Sequence, residues 1–233
     1  MALAWRYNQS RDPRWRLLSP DTANGACFAL SVQFIICAGT GTNFVNWLKP
    51  PELVAEGGLS GDPGVGQVFY RTLADRMLAQ REAVGIVIAR MAEQSRRVAE
   101  GGELGSVAKY NYAVELITSQ SPLRPVNNSD NLAFAPLPRK RRTSVATIWA
   151  EQIARQAGLK YISISALSGP ASSGHGIAAF VQGGRYGIFD PNFGIFSSNS
   201  EADFAEDLRD VLETRYEQAH KWVITDINFA TFA

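Results

Sequence analysis

Cysteine and histidine are scarce in this chain: two of each among 233 residues. That scarcity excludes several kinds of protein. There is no CxxC, no HExxH and no Cys/His cluster, so a metal site is poorly served and no metal or organic cofactor is expected. Cys27 and Cys37 bracket the apolar run CFALSVQFIICA. On one helix they would stand ~15 Å apart, whereas a disulfide needs Cα atoms within ~7 Å. Both therefore read as free thiols, which suit a reducing compartment. No apolar run approaches the ~20 residues that span a bilayer. The opening MALAWRYNQSRDPRW has no continuous apolar core of the kind a secretory signal peptide needs, and Ala2 cannot be N-myristoylated. Charge of one sign is missing too. The formal net charge is +1, which leaves no electrostatic case for nucleic acid. GDPGVG, within the glycine-rich stretch from Gly57 to Gly66, lacks the Lys-Ser/Thr pair of a phosphate-binding loop.

What remains is a globular composition, with 45% apolar and 19% charged residues, enough for one domain with a sizeable core or two small ones. Residues 1–22 are polar and aromatic with two prolines and read as an irregular arm. A turn at Asn24-Gly25 precedes a buried helix beginning near Cys27, with Phe28, Ser31, Phe34 and Ile35 at helical spacing. Residues 67–99 read as one long helix or two, closed by Gly101-Gly102, and Val107 to Thr118 as another. Residues 119–142 hold four prolines and the basic run Arg139, Lys140, Arg141, Arg142, and read as an exposed insertion in a domain spanning 23–233. Thr143 to Ala157 is helical in pattern, with Gly158 as a C-cap.

Beyond Gly158 the period changes. A strand starts at Tyr161. HGIAAFVQ, Gly183-Gly184 and RYGIFD form a β-hairpin, and FGIF adds a short strand. Ser200 to Tyr216 is a helix with a capping box at Ser200 and Asp203 and a core face of Phe204, Leu208, Val211 and Leu212. A last strand runs from about Lys221 to Ile227. Helices first and an antiparallel sheet after them is an α+β arrangement.

The chemistry-bearing residues fall at telling places in that plan. A helix N-terminus favours negative charge, so a thiol there ionises more readily. Cys27 occupies such a position, whereas Cys37 reads as core. Of the two histidines, His175 opens a strand between two glycines that leave its ring accessible, while His220 ends a charged helix and reads as solvent-exposed. An imidazole acting as base needs a third group to fix its tautomer. Asp190 closes the strand that pairs with the strand of His175, so the hairpin turn brings the two ends together. Asp190 in DPN also suits an Asx-turn, and Asn192 and Gly194 read as turn residues. The five tryptophans read as packing residues, with Trp47 bordering a cleft. The basic run is a solvated loop on the plain reading; the sharper ones are contact with an anionic membrane or acidic partner, or nuclear import.

The blocks NGACFALS, GHGIAAF and FDPNFG, in that order and with fifteen positions between His175 and Asp190, resemble the YopT/AvrPphB family of bacterial effector cysteine proteases. The resemblance implies a papain-like fold, with Cys27 as nucleophile, His175 as base and Asp190 as acid. It also implies secretion by a specialised bacterial system, action in the host-cell cytoplasm and a host protein as substrate. The family places a polar oxyanion donor just before the cysteine. Asn24, Thr22 and Asp21 are the candidates here, and Asn24 is the best of them because its amide carries N–H donors. A thiol acyl-transfer enzyme (deamidase, transglutaminase or acyltransferase) would use the same triad up to the thioester. A non-catalytic binding module is the third reading.

Overall fold

In a computed structural model the described residues are 2–12, 26–48, 73–101, 105–126, 150–168, 171–218 and 223–233. Their centre is a six-stranded antiparallel sheet in the order β1-β5-β4-β3-β2-β6. The strands are β1 (Ala2–Arg6), β2 (Gly158–Ser168), β3 (Ala171–Gln182), β4 (Arg185–Asp190), β5 (Gly194–Ser198) and β6 (Val223–Phe232). One face carries α1 (Ala26–Thr40), α2 (Phe44–Leu48), α3 (Leu73–Gly101) and α4 (Gly105–Gln120). The other carries α5 (150–155 among the described residues) and α6 (Glu201–Asp210), which continues as a π-helix over Val211–Gln218.

Strand alternation sorts the core between these faces. Leu159 and Tyr161 of β2 point at the helical side, while Ile162 and Ile164 point at α6. Helix α1 lies in the middle of the helical layer, with every residue from Ala26 to Cys37 buried. That is why its sequence is apolar all round rather than striped. Phe28 stacks on Tyr112 of α4 at 5.4 Å and meets the edge of Tyr161 at 6.0 Å. Arg90 of α3 ties three helices together, donating to Gln33 Oε1 and to Gln120 Oε1, both at 2.6 Å.

Several readings of the sequence need correction. The first residues are not irregular: Ala2–Arg6 pairs with β5 as an edge strand. Its backbone N–H and C=O groups alone supply the ladder, so no apolar alternation marks it in the sequence. Gly158 is not a helix C-cap but the first residue of β2, at φ 129 and pressed against Phe232 O. The strand starts before His175, where Ser172 and Ser173 pair with Leu167 and Ala166. His175 therefore sits within β3 rather than opening it. The segment 119–142 begins as structure too: α4 runs to Gln120, Leu123 is buried, and Arg124 exchanges backbone hydrogen bonds with Ala233. The last strand continues past Ile227 to Phe232. Trp47 packs on Phe44 at 6.1 Å, against the helical core. Asn24, Thr22, Asp21, His220 and Arg139, Lys140, Arg141 and Arg142 lie outside the described residues.

Candidate active site

Three elements converge where the N-terminus of α1 meets β3. Cys27 is the second residue of α1, so it stands among the helix's unpaired N–H donors. The helix is docked there by Ser31, one turn on, whose hydroxyl donates to the carbonyl of Gly176 at 2.8 Å. A side chain at Gly176 would be crowded: a β-carbon would lie 3.2 Å from Tyr161 Oη, 3.3 Å from Phe28 Cα and 3.5 Å from Cys27 O. The glycine thus lets the helix end rest on the strand beside His175.

Asp190 comes from the neighbouring strand. Gly183 and Gly184 turn the hairpin with φ of 57 and 73, the left-handed conformation that a two-residue turn demands. The register pairs Ala178 with Phe189, and the ends meet: His175 Nε2 lies 3.0 Å from Asp190 Oδ1. Both side chains are buried. The same Oδ1 accepts the backbone N–H of Asn192 at 2.8 Å, so Asp190 forms the Asx-turn while also holding the imidazole. With Nε2 committed to Asp190, Nδ1 is the ring nitrogen left for Cys27, and the thiol and imidazole are hydrogen-bonded partners.

The electrostatics favour an ion pair. Burial pushes the Cys27 thiol up, but the charge and hydrogen bond of His175, the charge of Lys109 and the Gly176 amide outweigh it and bring it down to about 6. Burial pushes His175 down, yet the charges of Asp190 and Cys27 raise it to about 9. Between those values the favoured form is thiolate–imidazolium, a property of the pair rather than of either residue. Cys37 behaves oppositely: it is free, buried, and its thiol is raised by burial.

Around this trio stand residues that the sequence reading did not single out for it. The Tyr216 hydroxyl donates to Asp190 Oδ2 at 2.7 Å, and its ring lies 4.8 Å from the imidazole. Asn192 Nδ2 donates to Tyr216 Oη at 3.3 Å, and Gln9 Nε2 donates to Asn192 Oδ1 at 2.9 Å. Gln9 N–H also donates to the carbonyl of Pro191 at 2.8 Å. The N-terminal segment therefore braces the turn that carries Asp190, and Asn192 is more than a turn residue. The signals were slight: a serine four positions after the cysteine, and a tyrosine on the core face of the last helix.

Known proteins resemble this chain in both sequence and fold. Residues 139–231 match the peptidase C58 family model, described as Yersinia/Haemophilus virulence surface antigen. The matched span includes His175 and Asp190 and lies beyond Cys27. A search of curated protein sequences gives no match. Among solved structures, the Pseudomonas avirulence protein AvrPphB is similar with a TM-score of 0.54 and 14% identity, covering 90% of this chain and 92% of that one. The YopT domain of the Pasteurella multocida PfhB2 toxin is similar with a TM-score of 0.34 and 18% identity, covering 93% of this chain and 88% of that one. The AvrPphB likeness establishes a papain-like fold of mixed helices and antiparallel sheet, and with the C58 match the chain is similar to the YopT/AvrPphB cysteine peptidases.

Proposed function

We propose that the chain is a cysteine endopeptidase of the effector type, with Cys27 as nucleophile, His175 as general base and acid, and Asp190 as the group that orients the imidazole. The observation that carries the reading is the buried Cys27–His175–Asp190 contact chain at a helix N-terminus. The Cys27 thiolate attacks the scissile carbonyl carbon, and the electron pair moves onto oxygen. The Cys27 backbone N–H is one donor to that oxyanion; Asn24, read from the sequence, is the other candidate. His175 gives its proton to the leaving amine as the C–N bond breaks. A water, deprotonated by His175, then opens the thioester, releasing the acid and restoring the ion pair.

The substrate on this reading is a host protein met in the host cytoplasm after delivery by a bacterial secretion system. The test is to incubate host-cell extract with the wild-type chain and with Cys27→Ala and to sequence new protein N-termini. New termini that depend on Cys27 support a peptidase. Cys27-dependent deamidation or cross-linking without new termini assigns the triad to acyl transfer instead. No Cys27-dependent change, with a thiol that iodoacetamide labels no faster than free cysteine, removes the catalytic reading.

A further inference from the structure

Lys109 of α4 is a buried cation that stands outside the triad. It is 8% exposed, and among the described residues no carboxylate or hydrogen-bond acceptor partners its ammonium. An ammonium with little water around it and no carboxylate beside it is costly, and such groups are retained where something anionic meets them. Its position says what that is. A β-carbon placed on Gly174 would lie 3.4 Å from Lys109 Nζ. Gly174 is exposed and directly precedes His175. The ammonium thus sits beneath the solvent-facing lip of the site, one residue from the imidazole.

Cys27 feels this charge, which helps lower its thiol, and Lys109 in turn has its own affinity for a proton reduced by burial. The thiolate, however, already has His175 as hydrogen-bonded partner. No carboxylate among the described residues compensates Lys109. A peptide laid across Cys27 along the lip at Gly174 would pass this spot, and successive residues of an extended chain advance by only ~3.3 Å. A side chain within two residues of the scissile bond is therefore the group within reach.

We propose that Lys109 forms an anion subsite beside Cys27 that receives a carboxylate side chain of the substrate within two residues of the scissile bond. The proposal rests on the peptidase reading and deepens it by naming a substrate class, peptides with Asp or Glu next to the cut. It also separates two roles for one charge. A lysine that only assists the thiolate would act on every electrophile alike, whereas a subsite distinguishes anionic from neutral ones.

The probes are iodoacetate and iodoacetamide, which deliver the same alkyl group to sulfur with and without a carboxylate. Their rates on Cys27 are measured in a Cys37→Ala background for wild-type Lys109, Lys109→Met and Lys109→Arg. The expected result is an iodoacetate-to-iodoacetamide rate ratio that falls on the order of tenfold in Lys109→Met and is largely kept in Lys109→Arg. Equal slowing of both reagents, with the ratio unchanged, overturns the subsite and leaves a thiolate-stabilising lysine. Should Lys109→Met fail to fold, the ratio in wild type against Lys109→Arg and against free cysteine decides: a folded wild type no more selective for iodoacetate than free cysteine overturns the proposal. Slow labelling of wild-type Cys27 by iodoacetamide would instead count against the peptidase reading. As a second arm, peptides from a denatured host proteome cut by the wild type should carry Asp or Glu at one position within two residues of the cut. Cuts with no acidic preference would overturn the subsite while leaving the peptidase intact.

Discussion

The hydroxyl of Tyr216 donates a 2.7 Å hydrogen bond to Asp190 Oδ2, on the side of the carboxylate opposite the imidazole of His175. Burial and the charge of Asp190 hold this hydroxyl protonated, well above the usual tyrosine range, so it acts as a donor throughout the physiological pH range. Its reach depends on the π-helical stretch Val211–Gln218. The wider turn slows the drift around the helix and keeps Tyr216 on the buried face with Phe204, Leu208 and Leu212.

Tyr216→Phe keeps the ring against His175 and removes only the donor. Losing one donor to a buried carboxylate costs ~1–3 kcal/mol, and here part of that loss should fall on the orientation of the base. Turnover should drop roughly tenfold. The alkylation profile of Cys27 should shift along the pH axis, because Asp190 has one acceptor site less firmly fixed. A parallel fall in melting temperature with an unmoved profile would mean that Tyr216 only fills space.

The hairpin was legible in the sequence because Gly183-Gly184 dictates a two-residue turn, and a two-residue turn fixes register. From register the meeting of His175 and Asp190 follows. The place of Cys27 was legible because a turn dipeptide stands directly before an unbroken apolar run. Tyr216 and Gln9 were not, since their roles depend on a π-helix and an edge strand that local sequence does not encode. The strand at Ala2–Arg6 carries no alternation: it pairs with β5 through its backbone, and its own side chains are largely exposed. Lys109 was invisible for a different reason, because nothing in a helical pattern says that a lysine will be turned inward.

The ion pair sets a pH window. The thiol sits at about 6 and the imidazolium at about 9, so turnover should rise as pH passes about 6, where the thiolate forms, and fall above about 9, where His175 loses the proton that the leaving amine needs. His175→Ala removes the largest favourable influence and should move Cys27 alkylation to higher pH. Asp190→Asn should do so less severely, by weakening the support for the imidazolium, and should cut turnover by orders of magnitude. Cys27→Ala should be inactive, and Cys37→Ala should keep most activity. Iodoacetamide labelling against pH, in a Cys37→Ala background, reads each shift. A Cys27 that titrates like free cysteine in the wild type would remove the ion pair.

Helix docking is open to a separate test. Gly176→Ala would put a methyl 3.3 Å from Phe28 Cα, a backbone atom that cannot swing aside. Relief requires the end of α1 and β3 to part by a few tenths of an ångström, which draws Cys27 from His175. Ser31→Ala removes the 2.8 Å hydrogen bond to Gly176 O without adding bulk. Turnover should fall in both variants, more steeply for Gly176→Ala, where a displacement of a few tenths of an ångström misaligns the attack. The check is turnover together with the iodoacetamide rate at neutral pH. Full activity in Gly176→Ala would show that the helix end has slack.

Gly194 links the N-terminal strand to the turn that carries Asp190. It adopts φ 118, and a β-carbon there would overlap the carbonyl oxygen of Trp5 in β1. Two independent penalties therefore act on Gly194→Ala: a left-handed backbone that L-residues avoid, and an overlap with a backbone atom that only displacement of β1 relieves. Strain of this kind costs ~1–3 kcal/mol, and a domain of this size loses ~2–4 °C of melting temperature per kcal/mol. The consequence should not stop at stability. Displacing β1 withdraws Gln9 from Pro191 O and from Asn192 Oδ1, so the turn holding Asp190 loses its outer brace. Gly194→Ala should lower the melting temperature by about 5 °C or more and reduce turnover as well. Gln9→Ala, which leaves the strand pairing intact, should reproduce part of the second effect with little of the first. The pair of measurements separates the roles. If Gly194→Ala melts early but turns over normally below its transition, the N-terminal strand contributes to stability alone and the brace through Gln9 is immaterial to the site.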